Sequence, residues 1–316
     1  MVIAIRAGSE NSCFFAAPGS TDTERLSAIA DLIITHLPRC FWYFKDNRMR
    51  AAADEDVKAL NGTFAKSKSA VYFMGSTVSA ADAATFEALN DRYAKDSKRV
   101  YYCDTFRDGK EYFSIKHTRT VTIAGADPAS FRIVDERYAR DNRSMYYEGA
   151  AFAVKDLESF QILADNFAKD KTSGYYIRLP IPGSDGQTFT AITSNYSKDA
   201  THVFYSGLNL APEPRASDVI SVVLPGAQPA TFTALESGYA TDGSRAYYND
   251  RMLESGAASF RVLSYDYAVS PSRVYYRGDL VKGADAATFE TVPIVDDGPT
   301  AKDKNGSFNY AKRVKR

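Results

Sequence analysis

The sequence is poor in the residues that most often carry chemistry. Its 316 residues include three histidines (His36, His117 and His202), three cysteines (Cys13, Cys40 and Cys103) and a single tryptophan. None of the histidines stands beside another histidine, a cysteine or a carboxylate at metal-ligand spacing, which argues against a zinc site. The patterns G-x-S-x-G, H-E-x-x-H, G-x-x-x-x-G-K-[ST] and G-x-G-x-x-G do not occur. Cys40 with a distant histidine would be a minimal nucleophile pair, but any chain holding both residues offers as much. The expectation is no catalytic residue, no metal and no cofactor.

Other shortages narrow the class further. Three widely spaced cysteines without a C-x-x-C pair fit a reducing compartment better than a disulfide scaffold. Arg6, Glu10 and Asn11 interrupt the region where a signal peptide needs an apolar run. No segment approaches the roughly 18 apolar residues of a membrane span. A cytoplasmic chain without a membrane span is expected. Lys and Arg (39) balance Asp and Glu (39), so no basic excess exists to displace counterions from nucleic acid. The local exception is Lys312-Arg313-Val314-Lys315-Arg316, read as a solvated basic tail over 310–316.

Aromatic residues, by contrast, are abundant: 21 Tyr and 19 Phe. They fall in a recurring phrase, Y-A-x-D-x-x-x-V-Y-Y followed by A-D-x-x-T-F-x-x-L. Its first half opens at Phe64, Tyr93, Tyr138, Phe167, Tyr196, Tyr239 and Tyr267, with spacings of 29, 45, 29, 29, 43 and 28 residues. Its second half supplies Phe86, Phe131, Phe160, Phe189, Phe232, Phe260 and Phe289. About seven related units follow one another, and two of them carry insertions of about 15 residues.

Each half has a local reading. The aspartates Asp96, Asp141, Asp170, Asp199 and Asp242 are expected to bond their own downstream backbone in a turn between two strands. Val-Tyr-Tyr is a β-favouring run, returning as the second hairpin strand. Adjacent tyrosines of a strand point to opposite faces, so one of each pair is expected inward and the other outward. The A-D-x-x-T-F phrase reads as a helical turn with aspartate at the N-cap, and Asp127-Pro128 adds proline at the first helical position. The apolar anchors of one unit cannot offset the conformational entropy of its 28 residues, so neighbours must share a core.

The predicted architecture is a β-rich tandem-repeat protein, each 28–29-residue unit a hairpin plus a short helical turn. Phe41 to Leu60 resemble a second half-unit, with Trp42-Tyr43-Phe44 in the V-Y-Y place and Val57 in the phenylalanine place. Ala301 to Phe308 resemble a first half-unit. Pairing of these halves would close a propeller-like ring, although 28 residues are few for a four-stranded blade. An open solenoid is the expectation, the ring its alternative. One N-terminal α-helix is predicted from Thr23 to about Leu37: Thr21 and Glu24 have capping-box spacing, Leu26, Ile29, Ala30, Ile33 and Leu37 form one stripe, and Pro38 ends it. The organisation is thus 1–40 with a capping helix, 41–309 as the repeat array and 310–316 as the tail.

The repeated aspartates also raise a calcium reading, since Asp303-Lys304-Asn305-Gly306 imitates the opening of a calcium loop. Ser307 and Val314 stand near where an EF-hand needs an oxygen ligand and a glutamate, and turn capping is the simpler account.

The informative irregularity is where the period breaks. Cys103 to Ile123 and Leu208 to Leu224 enter at the same point, after Tyr-Tyr, and such insertions often mark a binding side. The first reads as a hairpin turning at Asp108-Gly109. It carries Phe106, Arg107, Lys110, Tyr112, Phe113, Lys116 and Arg119, an aromatic and basic mix found at protein interfaces. The second carries Glu213, Arg215 and Asp218 among prolines.

On these phrases, above all D-N-R-S-M-Y-Y from Asp141 and D-K-N-G at Asp303, the chain resembles the DKNYY family of bacterial repeat proteins over roughly Phe41 to Phe308. It departs where Ser67 and Ser270-Pro271 replace the turn aspartate. The resemblance implies bacterial origin and a binding role, with some members serving as immunity partners of secreted toxins; it supplies no catalytic residues. The expected function is a non-enzymatic protein-binding module, an immunity or antitoxin-like protein with a protein partner. The alternative is a carbohydrate or cell-envelope binder using an exposed tyrosine ladder, with its ligand undefined.

Overall fold

The computed structural model describes residues 57–109, 116–164, 166–209, 217–295 and 298–314, and the backbone of four strands before them. Those four are Ala4–Arg6 paired with Cys13–Phe15, and Trp42–Lys45 paired with Arg48–Ala51. The predicted helix from Thr23 to Leu37 lies outside the described residues. The chain forms two compact parts, Met1–Ala151 and Phe152–Arg316.

Among the described residues there are eight four-stranded antiparallel sheets, each a meander of consecutive strands. The first repeat comprises Lys58–Ala59, Phe64–Lys66, Val71–Phe73 and Ser76–Thr77. The eighth comprises Glu290–Thr291, Ala301–Asp303, Gly306–Asn309 and Lys312–Arg313. Repeats one to three belong to the first compact part, the division falling inside the last strand of the third (Ala150–Phe152), and repeats four to eight to the second.

This corrects the expected unit in three respects. Twenty-eight residues do suffice for four strands, because the outer two are often only two residues long, as in Glu87–Ala88 and Leu179–Pro180. The A-D-x-x-T-F phrase forms one hydrogen-bonded turn, Thr85 N donating to Asp82 O at 3.2 Å, and the chain then enters the first strand of the sheet. Residues 301–308 are not half a unit: they are the two middle strands of a complete eighth sheet. That sheet also uses Lys312–Arg313 from the basic tail as its outer strand.

Residues at the third turn explain the tight meander. Met74-Gly75, Glu148-Gly149 and Arg277-Gly278 all have positive φ at both positions, the two-residue turn whose twist matches antiparallel strands. At Gly149 there is a second reason for glycine. A Cβ there would sit 2.6 Å from the Cβ of Tyr102 in the preceding repeat.

The core is a relay of rings. The aromatic that opens the second strand pairs across the sheet with the second tyrosine of V-Y-Y: Tyr93 with Tyr102 at 5.0 Å, Tyr138 with Tyr147 at 4.9 Å, Tyr239 with Tyr248 at 4.9 Å. It also meets the phenylalanine of the following repeat, as Tyr93 meets Phe131 and Tyr239 meets Phe260, each at 5.8 Å. That phenylalanine packs on the first tyrosine of its own V-Y-Y, as Phe131 packs on Tyr146. In repeats two, three and four both rings of the pair are therefore inside, while in repeats five, six and seven the second ring, Tyr205, Tyr248 and Tyr276, is half-buried. Tyr101 and Tyr102 are 0% and 1% exposed, and Tyr175 and Tyr176 are 0% and 4%. The two faces of a strand do receive alternate side chains, as expected, but neither face leaves its ring open to solvent.

Hydroxyls fasten neighbouring repeats. Tyr93 Oη donates to Arg137 O (2.9 Å) and accepts from Gly149 N (3.0 Å). Tyr239 Oη likewise donates to Asp266 O and accepts from Gly278 N, both at 3.0 Å. Repeat one opens with Phe64, which has no hydroxyl; there Asn61 Nδ2 and Thr63 Oγ1 donate instead to Asn90 O and Asp91 O of repeat two.

Candidate functional site

The turn aspartates are structural acceptors. Asp141, 2% exposed, accepts from Arg143 N (2.8 Å) and Ser144 N (2.7 Å) through Oδ1, and from Asp127 N (3.0 Å) and Tyr146 Oη (2.8 Å) through Oδ2. Asp96 and Asp170 repeat the pattern with Tyr101 and Tyr175, each at 2.6 Å. One carboxylate thus ties the strand turn, the A-D-x-x-T-F turn and the core tyrosine together. Burial by itself pushes the Asp141 carboxyl up, but the hydrogen bonds from Asp127, Arg143, Tyr146 and Ser144 outweigh it and hold it below the usual carboxylate range. Tyr146 responds in the opposite sense: burial, then its bond to Asp141, pushes it up to about 12.

Asp303, the residue behind the calcium reading, is another such acceptor. It takes Asn305 N and Asp285 N, both at 2.8 Å, and the Arg313 guanidinium at 3.3 Å. Sequence reading placed the aspartates in turns correctly and missed the tyrosine five residues downstream. The signal was present as the fixed D-x-x-x-x-Y spacing.

The two insertions lengthen the same hairpin, between the third and fourth strands. In repeat two, Val100–Phe106 pairs with His117–Thr122, Phe106 standing opposite His117. Phe106 and His117 are the last described pair; Asp108 and Gly109 follow the strand, and residues 110–115, which complete the connection, lie outside the described residues. Phe106 is 44% exposed and stacks on His117 at 5.3 Å. Arg119 is held by Asp104 in a two-point bond, Nε to Oδ1 at 3.1 Å and Nη2 to Oδ2 at 2.6 Å, which raises its pKa. Arg107 and Lys116 are exposed. Lys110, Tyr112 and Phe113 lie outside the described residues. The other strand face turns inward: Cys103 is fully buried, with its thiol pushed up to about 12 by burial, and Thr118 Oγ1 donates to Ser76 Oγ of repeat one at 2.8 Å.

In repeat five, Val203–Leu208 pairs with Val219–Val223. Leu208 is 70% exposed and Val223 42%. Asn209 closes the far end, its N donating to Asp218 O at 2.8 Å and its Nδ2 to Ser217 O at 2.9 Å. Asp218 is exposed, while Glu213 and Arg215 lie outside the described residues.

Among the described residues the tyrosines form no exposed ladder of the kind that would suit a glycan. Among the described tyrosines only Tyr265 (36%) and Tyr310 (47%) are exposed, the second ring of each pair being buried or half-buried. Cys103 is out of contact with solvent, and His117 and His202 occupy a stacked hairpin position and an exposed turn. His36 and Cys40 lie outside the described residues. Among the described residues no helix is long and apolar enough to cross a membrane, and no three His, Cys, Asp or Glu side chains converge as metal ligands would.

No curated protein and no solved structure matches the chain. A family model does, three times in succession, over residues 23–105, 103–179 and 179–251. Each match takes in the D-x-x-x-V-Y-Y turn and the ring relay described above, and together they cover most of the sequence: the chain belongs to the DKNYY family.

Proposed function

We propose that this chain is a non-enzymatic, cytoplasmic protein-binding module, an immunity or antitoxin-like protein that captures a cognate toxin. The observation that carries the binding role is the pair of extended hairpins. Most of the described aromatic rings are used inside the repeats, whereas these two hairpins run past the ring relay and present Phe106 and Leu208 to solvent. An exposed aromatic beside arginine and lysine, on a rigid two-stranded support, has the composition of an interface anchor. Burial of the tyrosines weighs against a glycan-stacking surface.

The test is co-expression of the full chain with the products of the genes beside its own. A stoichiometric complex that relieves toxicity is expected. Phe106→Asp, or replacement of Arg107–Lys116 by Asn-Gly, should weaken that complex by at least about 30-fold, as loss of an anchor worth roughly 2 kcal/mol does. Full protection by both variants would refute the role given to this hairpin. No complex with any neighbouring product would refute the immunity reading.

A further inference from the structure

The turn that leads into repeat seven lacks the ties that hold its counterparts. Among the described residues, repeats two to eight are each entered through such a turn. In six of the seven, a backbone N–H of the turn donates to the carboxylate of the repeat that follows, at 2.8–3.3 Å, as Asp185 N does to Asp199 and Asp285 N to Asp303. Before repeat seven the N–H groups of Gly256 and Ala257 both donate backwards, to Ser244 O of repeat six. The cause is in the sequence. Ser270 replaces the aspartate, and its Oγ accepts from Arg273 N inside its own turn.

A second tie commonly comes from the other side. The lysine that ends the second strand reaches a carbonyl of the turn following its repeat, as Lys169 Nζ donates to Phe189 O at 3.1 Å and Lys198 Nζ to Pro229 O at 2.8 Å. Repeat six has Thr241 there, and its Oγ1 donates to Arg245 O of its own turn. Repeat seven has Val269 at that place, but the turn after it keeps its aspartate, Asp303. Among the described residues the seam between repeats six and seven is thus the one with neither tie. Both ties are hydrogen bonds with a charged partner, the stronger kind.

What holds this seam is the contact of Tyr239 with Phe260, the hook of the Tyr239 hydroxyl and two ion pairs. Arg251 and Asp279, 53% and 78% exposed at 3.4 Å, form a pair of the kind that contributes little. Glu254 and Arg273, at 3.5 Å, form a shielded one. Glu254 stands near the Tyr275 phenol where other repeats place their aspartate, and it leaves the turn backbone unheld.

We infer that the array opens at this seam, repeats seven and eight parting from repeat six as one block and baring the ring face of Tyr239 and Tyr248. Each repeat of an array rests on its neighbours alone, so a weak seam marks the boundary of a block that opens together. The inference does not rest on the toxin-binding reading, whose hairpins belong to repeats two and five.

Hydrogen exchange of the full chain, followed by peptide through a urea series, tests it. Peptides of repeats seven and eight are expected to exchange together, in one step, before those of repeats four to six. Ser270→Asp made with Glu254→Gln returns the aspartate to its usual place without setting two carboxylates on one phenol. It should make that opening at least about tenfold rarer, the effect of one regained charged hydrogen bond. Asp199→Ser reproduces the gap before repeat five and should let repeats five to eight open together, which keeps the test valid should the first variant fail to fold. Repeat eight exchanging alone ahead of repeat seven, repeat seven opening only with repeat six, or unchanged exchange in the Ser270→Asp variant would overturn the inference.

Discussion

Removing one turn aspartate should loosen its repeat by several kcal/mol, and Asp141→Ala is the clearest case. The carboxylate accepts four hydrogen bonds. Two of the donors, Arg143 N and Ser144 N, sit in a surface turn and can be taken over by water. The other two, Asp127 N and the hydroxyl of the 2%-exposed Tyr146, lose an ionised acceptor in a covered position. At about 1.5–3 kcal/mol for each bond to a charged group, the cost is roughly 3–6 kcal/mol. An array need not unfold in one step, so the readout should be local: hydrogen exchange of repeat-three amides through a urea series. The cost must also depend on pH. Because the folded carboxyl sits below its unfolded value, its contribution is complete above about pH 4 and is lost as pH falls through the folded value. The wild type and the variant should therefore draw closer as pH falls through the folded value. A cost under about 1 kcal/mol, or one equal at neutral and acid pH, would refute the reasoning.

Two further outcomes follow from the same packing. Tyr101, Tyr146 and Tyr247 are pushed up to about 12 by burial and by their turn aspartates, so the stability they contribute is intact below about pH 10 and is lost between there and about 12; tyrosinate absorbance should rise together with loss of the circular dichroism signal, and early titration of most tyrosines in a folded chain would contradict it. Gly149→Ala should destabilise repeats two and three by about 2 kcal/mol or more, from positive φ and the clash with Tyr102, and an unchanged urea midpoint would show that the turn relaxes freely.

Much of this was legible in the sequence, and the rest was hidden for physical reasons. The period, the strand-turn-strand core of each repeat and the aspartate in its turn are written in residues that recur. The outer strands are not. Ser76–Thr77, Leu179–Pro180 and Asp279–Leu280 share no residue type at either position and are too short to show an alternation. The phase of the repeat misled as well: counting from the tyrosine makes residues 301–308 look like a fragment, whereas counting from the phenylalanine gives a whole sheet. The outward tyrosine was a sound inference about strand faces and a wrong one about solvent, since alternation says which side a ring takes and not what covers that side. At the candidate surface, Phe106, Lys116 and Arg107 are exposed as the composition suggested, but Arg119 is turned to Asp104 across the hairpin, a pairing that only the register reveals.

Within each compact part, the seam between repeats recurs with similar fittings: one ring handed forward to the next phenylalanine and, where the opening residue is tyrosine, one hydroxyl hooked over the next turn. A seam that recurs makes the copies interchangeable in position. Excising a stretch from one phenylalanine to the next would bring together two edges that already know how to meet, whereas the same number of residues cut from tyrosine to mid-strand would strand a ring on each side. The natural unit of change for such a chain is a whole sheet, so its reach can grow or shrink over generations in countable steps while every surviving joint keeps its fit.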